Sequence, residues 1–582
     1  MLGPEHPGGQ QEGSREDTVS TPSVAGPVEI DPPGGPARSR PFLFTDLDLA
    51  ARRYQAEEFF FSGTASSYDL PIPTVPLEPA QPSAEPAGHR YPYTSRLLVY
   101  RPDSPDAFNG TVFVEWTNTT IGHEVPLWWN QNFDYIMRTG AAHVTITANH
   151  YAIHGEPYGL RNWSPQRYGN LDVPLVRRST AEADPRRYDD QLAYDVFAQG
   201  LQAIRSVPKV LGGLAVRHVI AGGVSRAAVH LGAYLNSRHP RAPLVDGALL
   251  LLAGPQLRVD LDVPVMKVLS ETDVESFDGR QATGRQDDTE RFRTWWMTGT
   301  SHVDHHMATS HAAARLRDLP DVPLWDDGQP TGHSRVQAHL VISAAMEAME
   351  QWLEDGPPPA RSPLPQLTPT DPPQVVRDEH GNGLGGIRLA TLDAPTATDQ
   401  GTGAGLNFLV GRHVPFDQPT LSGLYPGHAS YVRAVAAAVR KNVHDGFLLA
   451  EDADHLIARS LNSIIGEGLA SGPLCADAGN FANNPSTVAL RDHTEIYRLV
   501  DGDALVATLD RATRLVAEGY TAAAAADHAV RKQRFDEAGE LVREYRHTLL
   551  KKASDDPAVA DPAGMLAGLA DVLITAIAAA AV

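Results

Sequence analysis

Val216-Arg-His-Val-Ile-Ala-Gly-Gly-Val-Ser225-Arg-Ala-Ala-Val-His-Leu-Gly-Ala-Tyr-Leu-Asn236 is the stretch that decides the fold. The apolar run Val216 to Ala221 predicts a buried strand, and Ala227, Ala228, Leu231 and Leu235 lie at helical spacing beyond it. A serine on the elbow between strand and helix carries its hydroxyl above the sheet, beside the backbone N–H groups that open the helix. So tight a turn needs small residues two before and two after the serine. Gly223 and Ala227 meet that need, which makes the motif G-x-S-x-A. A glycine–serine turn can also be purely structural, so the elbow has to be weighed together with the strands downstream of it.

Pro264-Val-Met-Lys-Val-Leu-Ser270 predicts a second buried parallel strand and runs into Glu271-Thr-Asp273-Val274. Phe292-Arg-Thr-Trp-Trp-Met297 predicts a third, which ends in Gly299-Thr-Ser-His302. Serine, then acid, then histidine is the chain order of the α/β-hydrolase triad. Both later residues fall just past the carboxyl ends of strands, where open α/β sheets place their ligands. In that triad Ser225 attacks, His302 takes the proton and returns it to the leaving group, and a carboxylate fixes the imidazole tautomer. Either Asp273 or Glu271 can supply the carboxylate: Asp273 fits the usual strand–turn–acid spacing better, while Glu271 is nearer the strand end. The oxyanion hole is expected to combine the N–H of Arg226 with one from the loop after the strand Thr111–Trp116, at Thr117 or Asn118.

These residues carry a resemblance. The chain resembles the α/β-hydrolase domain family of large bacterial and fungal proteins assigned as serine esterases. The shared phrases are Glu57-Glu-Phe-Phe-Phe-Ser-Gly-Thr-Ala65, Phe108-Asn-Gly-Thr-Val-Phe-Val-Glu-Trp-Thr-Asn118, Arg167-Tyr-Gly-Asn-Leu171 and Tyr194-Asp-Val-Phe-Ala-Gln199. They continue through the Ser225 elbow, Ser270 to Val274, Gly299 to His302, and Arg377-Asp-Glu-His-Gly-Asn-Gly-Leu-Gly-Gly-Ile-Arg388, to Pro415-Phe416 and Leu424-Tyr425-Pro426. The resemblance spans about residues 40 to 465. It implies a mostly parallel central sheet flanked by helices and a serine esterase activity. In that family the nucleophile is commonly followed by Gln-Ser. Here Arg226-Ala227 comes next, which is similar to the elbow of glucuronoyl esterases.

Composition fits a folded chain with a large core: 582 residues, 42% of them hydrophobic. A formal net charge of −22 argues against a nucleic-acid partner and an anionic membrane surface. The single cysteine, Cys475, excludes an intrachain disulfide and is expected to be a small buried residue. With no signal-peptide pattern at residues 1 to 9, the expected location is cytoplasmic. The terminal Ala576–Val582 run is expected to belong to a short helix unable to span a bilayer.

Residues 1–40, rich in Gly, Pro, Ser and Glu, predict a disordered leader. Residues 41–355 predict the α/β core, with a lid-like insertion at about 151–187 that could equally be a surface excursion held by Trp163 and Tyr168. Residues 356–582 predict a C-terminal part that is mostly helical and packs on the core, with helices at Ala523–Ala529 and Arg531–Leu549 and a possible oligomerisation face. The glycine-rich run 377–388 lacks the lysine of a phosphate loop and predicts a structural turn set near the rim of the site.

Four further side chains are candidates for contact with substrate: Arg226 through its guanidinium, the pair Trp128 and Trp129 as an apolar wall, and His123 from a loop. His302-Val-Asp-His305-His306 lacks a metal-ligand spacing, so no metal and no cofactor are expected. The functional expectation is cleavage of a small-molecule carboxylic ester through an acyl-serine. An acyltransferase, lactonase or thioesterase would use the same triad, and a catalytically silent scaffold is the reading from another class.

Overall fold

The computed structural model describes residues 18–32, 36, 38–68, 86–176, 190–276, 280–322, 332–403, 408–476, 485–499 and 502–582. Among the described residues nine strands form one sheet: β1 (Ser23–Val28), β2 (Tyr54–Tyr68), β3 (Pro86–Pro102), β4 (Thr111–Trp116), β5 (Ala142–Ile146), β6 (His218–Val224), β7 (Gly247–Leu251), β8 (Val265–Leu269) and β9 (Phe292–Trp296). Their order across the sheet is β1-β2-β3-β5-β4-β6-β7-β8-β9. β1, β2, β3 and β5 pair antiparallel, and every pairing from β5 through β9 is parallel.

The parallel strands are short apolar runs, and β4, β5, β7, β8 and β9 are buried along their whole length. Strand geometry sends alternate side chains to opposite faces. Val112 and Val114 enter the apolar cluster that takes in the helix Ala193–Ser206, whereas Phe113 enters the one that includes helix Ala338–Leu353. The chain steps from β4 outward to β5 and then returns past β4 to β6. That reversal opens a crevice at the carboxyl ends of β4 and β6, where ligands bind in open α/β sheets.

The leader expected through residue 40 needs correction: Ser23–Val28 pairs with β2 as the edge strand of the sheet, while residues 1–17 fall outside the described residues. Of the expected lid, 151–176 is described and 177–187 is not. Its described part is pinned to the antiparallel side. The fully buried Tyr168 donates to Glu58 at 2.8 Å and Trp163 Nε1 donates to the Asp318 carbonyl at 3.0 Å.

The chain beyond residue 355 is extended before it is helical. From Pro359 to Ile387 it covers the exposed edge of β9: Arg293 donates to the Pro359 carbonyl, Trp295 to the Ala360 carbonyl, and Met297 bridges Ile387. A two-stranded ribbon, β10 (Ala397–Gln400) with β11 (Arg412–Pro415), comes after it. Apart from the one-turn helix Ala390–Asp393, the helices of this part begin at Gln418 and end in a group with its own apolar core, in which Leu509, Phe535, Val542, Leu566 and Ile577 are buried. The expected helix Ala523–Ala529 is instead a break. One helix ends at Ala524, Ala526 takes φ +58°, and the Asp527 side chain caps the next helix, His528–Asp555. The terminal run lies within a helix of 22 residues, Ala560–Ala581, longer than expected and long and apolar enough to cross a bilayer. A third of its most apolar window is buried inside the protein. Cys475 is buried in the same cluster, and desolvation pushes its thiol up to about 11.

Candidate active site

β6 ends at Val224, and Ser225 takes φ +59° and ψ −122° before the helix Arg226–Ser237 begins. A non-glycine residue in that region costs about 1–3 kcal/mol, which the surrounding packing has to offset. The reason for a glycine two residues earlier is geometric. A Cβ on Gly223 would stand 2.6 Å from the Ala227 carbonyl carbon. The first-turn amides of the following helix have no carbonyl partner within it, so the elbow places N–H groups beside the hydroxyl.

Ser225 Oγ and His302 Nε2 are 2.7 Å apart, and His302 Nδ1 and Asp273 Oδ1 are 2.9 Å apart. Asp273 is held in turn by Ser270, whose N–H and Oγ donate to Oδ2 at 2.9 Å and 2.7 Å. The first of these contacts is one half of a capping box, in which Ser270 is the N-cap of the short helix Glu271–Glu275 and Asp273 its third residue; the other half is the Asp273 N–H donating to Ser270 Oγ at 3.3 Å. The His302 N–H donates to Thr272 Oγ1 at 2.9 Å, which ties the histidine loop to the acid loop. Thr272 in turn donates to the Gly401 carbonyl.

The two carboxylates left open by the sequence are thereby separated in space. Glu271, at the first helical position, turns to the opposite side. It accepts from the N–H groups of Gly299 at 2.7 Å and Gly401 at 2.8 Å, and pairs with Arg377 at 2.6 Å. Arg377 also pairs with Glu275 at 2.6 Å. Burial raises the Glu271 carboxyl from its ordinary value, and Arg377 pulls it back down. Glycine lets the chain come this close: a Cβ on Gly383 would stand 2.6 Å from Glu271 Oε2. The glycine-rich run is the buttress of the acid loop, and Arg377 is the residue that sequence reasoning passed over.

A cavity of about 60 Å³ opens beside Ser225 and His302. Asn118, Thr120, Ile121, Met307, His311 and Leu409 are among its walls. Arg226 is half-buried at the first helical position. Thr117 is buried behind the wall, its hydroxyl directed at the Ile146 carbonyl. The Asn118 N–H, one of the two expected second donors, is already committed to the Val125 carbonyl at 3.1 Å. The Asn118 side chain donates to the Val224 carbonyl at 2.9 Å and accepts from Thr120 N–H at 2.8 Å, which shapes the loop.

Trp128 and Trp129 need correction as pocket walls. They open the helix Leu127–Thr139, whose first amides donate to the buried Glu115 at 2.9 Å and 3.1 Å. That capping turns both rings onto the sheet. Trp128 lies edge-on to Phe113, and Trp129 stacks on Tyr100 at 3.9 Å. His123 also faces inward, between Phe42 and Tyr158, and desolvation brings its imidazole down to about 4. His305 and His306 begin the helix His305–Thr309 and lie away from Ser225, on the wall of a second, larger cavity.

The family model described as an alpha/beta hydrolase domain matches residues 24–458. No curated protein matches the chain. Among solved structures, esterase Est22 is similar at 12% identity and a TM-score of 0.27, over 52% of this chain and 81% of that one. The carboxylesterase Cest-2923 from Lactobacillus plantarum WCFS1 is similar at 10% identity and 0.26, over 45% and 94%. A glucuronoyl esterase from Solibacter usitatus is similar at 10% and 0.22, over 42% and 76%.

Proposed function

Since the chain belongs to the α/β-hydrolase domain family, we propose that it is a serine hydrolase that cleaves a carboxylic ester of a small molecule through an acyl-Ser225 intermediate. The observation that carries this reading is the continuous set of contacts Ser225–His302–Asp273, at 2.7 Å and 2.9 Å. His302 accepts the Ser225 proton as Oγ bonds to the ester carbonyl carbon, and delivers it to the departing alkoxide. Asp273 keeps Nδ1 protonated, so that Nε2 is the basic nitrogen. Water then repeats the sequence on the acyl-enzyme and releases the acid. The tetrahedral oxyanion is received by the Arg226 N–H together with the N–H of Thr117, since those of Asn118 and Thr120 are committed within their own loop.

The cavity of about 60 Å³ beside the pair favours a small acyl or alcohol group there. The test is labelling of the intact chain with a small fluorophosphonate, followed by peptide mapping. A single adduct on Ser225, absent from His302→Ala, is the expected result. No adduct on a demonstrably folded chain would sink the mechanism.

A further inference from the structure

The helix His305–Thr309 is a wall with a cavity on each side. Asp304, His305 and His306 face the larger one, while Met307 and Ala308 face the one beside Ser225. The smaller cavity is apolar on several sides. Ile121 and Val125 come from the loop after β4, Val224 from the end of β6, and Val303 from the histidine loop. One further wall arrives from beyond the proline-rich stretch. It is Leu409, in the segment between β10 and β11.

Backbone contacts fix Leu409 against the triad. Its carbonyl accepts from the N–H of Val303, the residue after His302, at 2.8 Å. The next carbonyl, that of Val410, accepts from the Ser334 N–H at 3.0 Å, and the Val410 side chain is buried in the core. Glycine lets the segment come this close: a Cβ on Gly411 would stand 2.8 Å from Ser301 Cβ. The Leu409 side chain is only half-buried and takes no part in these bonds, so it can be exchanged while the segment stays in place.

Size then decides what fits. An apolar cavity of about 150 Å³ takes benzene. By the same measure, the cavity of about 60 Å³ beside Ser225 takes about two or three carbons. During turnover the acyl group stays bonded to Ser225 while the alcohol departs and water arrives. The group that needs an enclosed apolar pocket is therefore the acyl chain, and a longer one runs into Leu409. We propose that Leu409 is the residue that closes the acyl pocket and restricts the chain to esters of short acids, about two or three carbons long. This inference rests on the acyl-Ser225 reading.

The test is kcat/KM of the full chain on p-nitrophenyl acetate, propionate and hexanoate, beside ethyl acetate and hexyl acetate. The parent chain should cleave acetate or propionate at least about tenfold better than hexanoate, since one methylene in an apolar pocket is worth about tenfold or more. Leu409→Ala removes as many carbons as hexanoate adds to propionate. It should raise the hexanoate-to-acetate ratio at least about tenfold, with no matching rise in the ratio of hexyl to ethyl acetate. Leu409→Phe should act in the other direction and lower the propionate-to-acetate ratio by about threefold or more, so the position is read from both sides. A parent chain that prefers hexanoate, ratios that ignore both Leu409 variants, or a shift confined to the alcohol series would overturn the proposal. Cleavage with unaltered ratios removes this inference and keeps the ester-cleaving reading. A folded chain that cleaves none of the esters and takes no phosphonate removes both.

Discussion

The two cavities on either side of the helix His305–Thr309 differ in how their polar groups are satisfied. In the smaller cavity, one line of hydrogen bonds runs from Ser270 through Asp273 and His302 to Ser225. Orientation there is set by the protein before anything binds. In the larger cavity Arg138 pairs with Asp452 at 2.6 Å and Arg335 with Asp492 at 2.7 Å, while the Gln131 amide and the His305 ring are closed into its wall with no hydrogen-bond partner among the described residues. A pre-oriented set suits chemistry, whereas ion pairs that neutralise one another across a seam hold its two sides together.

The sharpest way to break this comparison is at Ser225. Ser225→Ala should lower turnover by at least about 10³-fold with the melting temperature unchanged within a few degrees. Full activity in that variant would remove the chemistry from this cavity altogether. Next in size, Asp273→Asn should cost about 10²- to 10⁴-fold in kcat, because the amide no longer fixes the His302 tautomer. Glu271→Gln should leave kcat within about threefold but lower stability by about 1–3 kcal/mol in denaturant titration, since it removes one of the two buried carboxylates that pair with Arg377. The opposite ranking of these two variants would exchange the roles of the carboxylates.

The smallest effect concerns the shared wall. Asp304 caps two helices by accepting from Met307 N–H at 2.7 Å and Ala338 N–H at 3.1 Å. Desolvation raises its carboxyl to about 6. The unfolded chain ionises this group near pH 4, so between about pH 4 and 6 the folded state holds a proton that the unfolded state has lost. Its contribution to stability therefore falls as pH rises through that window, by on the order of 2 kcal/mol. Melting curves across pH 4–7 should show a shallower fall in Asp304→Asn than in the parent chain.

The positions of Ser225, Asp273 and His302 were legible because each comes after an apolar run long enough to be a buried strand, and the turn after it begins at a small or capping residue. Which acid faces His302 was not. Glu271 and Asp273 stand two residues apart in one turn of helix, and the Ser270 capping box decides which way each points. The tryptophan pair was misplaced for a related reason. Apolar character says that Trp128 and Trp129 are buried but not behind which wall, and the Glu115 cap sets that rotation. β1 was hidden by composition, since an edge strand containing Gly26 and Pro27 has no apolar alternation to separate it from a leader. The larger cavity was invisible to the sequence because its walls come from helices as far apart in the chain as Leu127–Thr139 and Thr487–Tyr497.

The Arg377 clamp bears on how this protein can be cut, fused or shuffled. A proline-rich stretch after residue 355 looks like a natural seam, yet the counter-charge of the acid loop arrives from beyond it. A chain ended at that seam would keep all three triad candidates while stripping Glu271 and Glu275 of both their cation and the backbone that packs against them. The smallest transferable unit of this hydrolase therefore extends past the glycine-rich run to Gly401, and the seam marks a change of secondary structure rather than the end of a module.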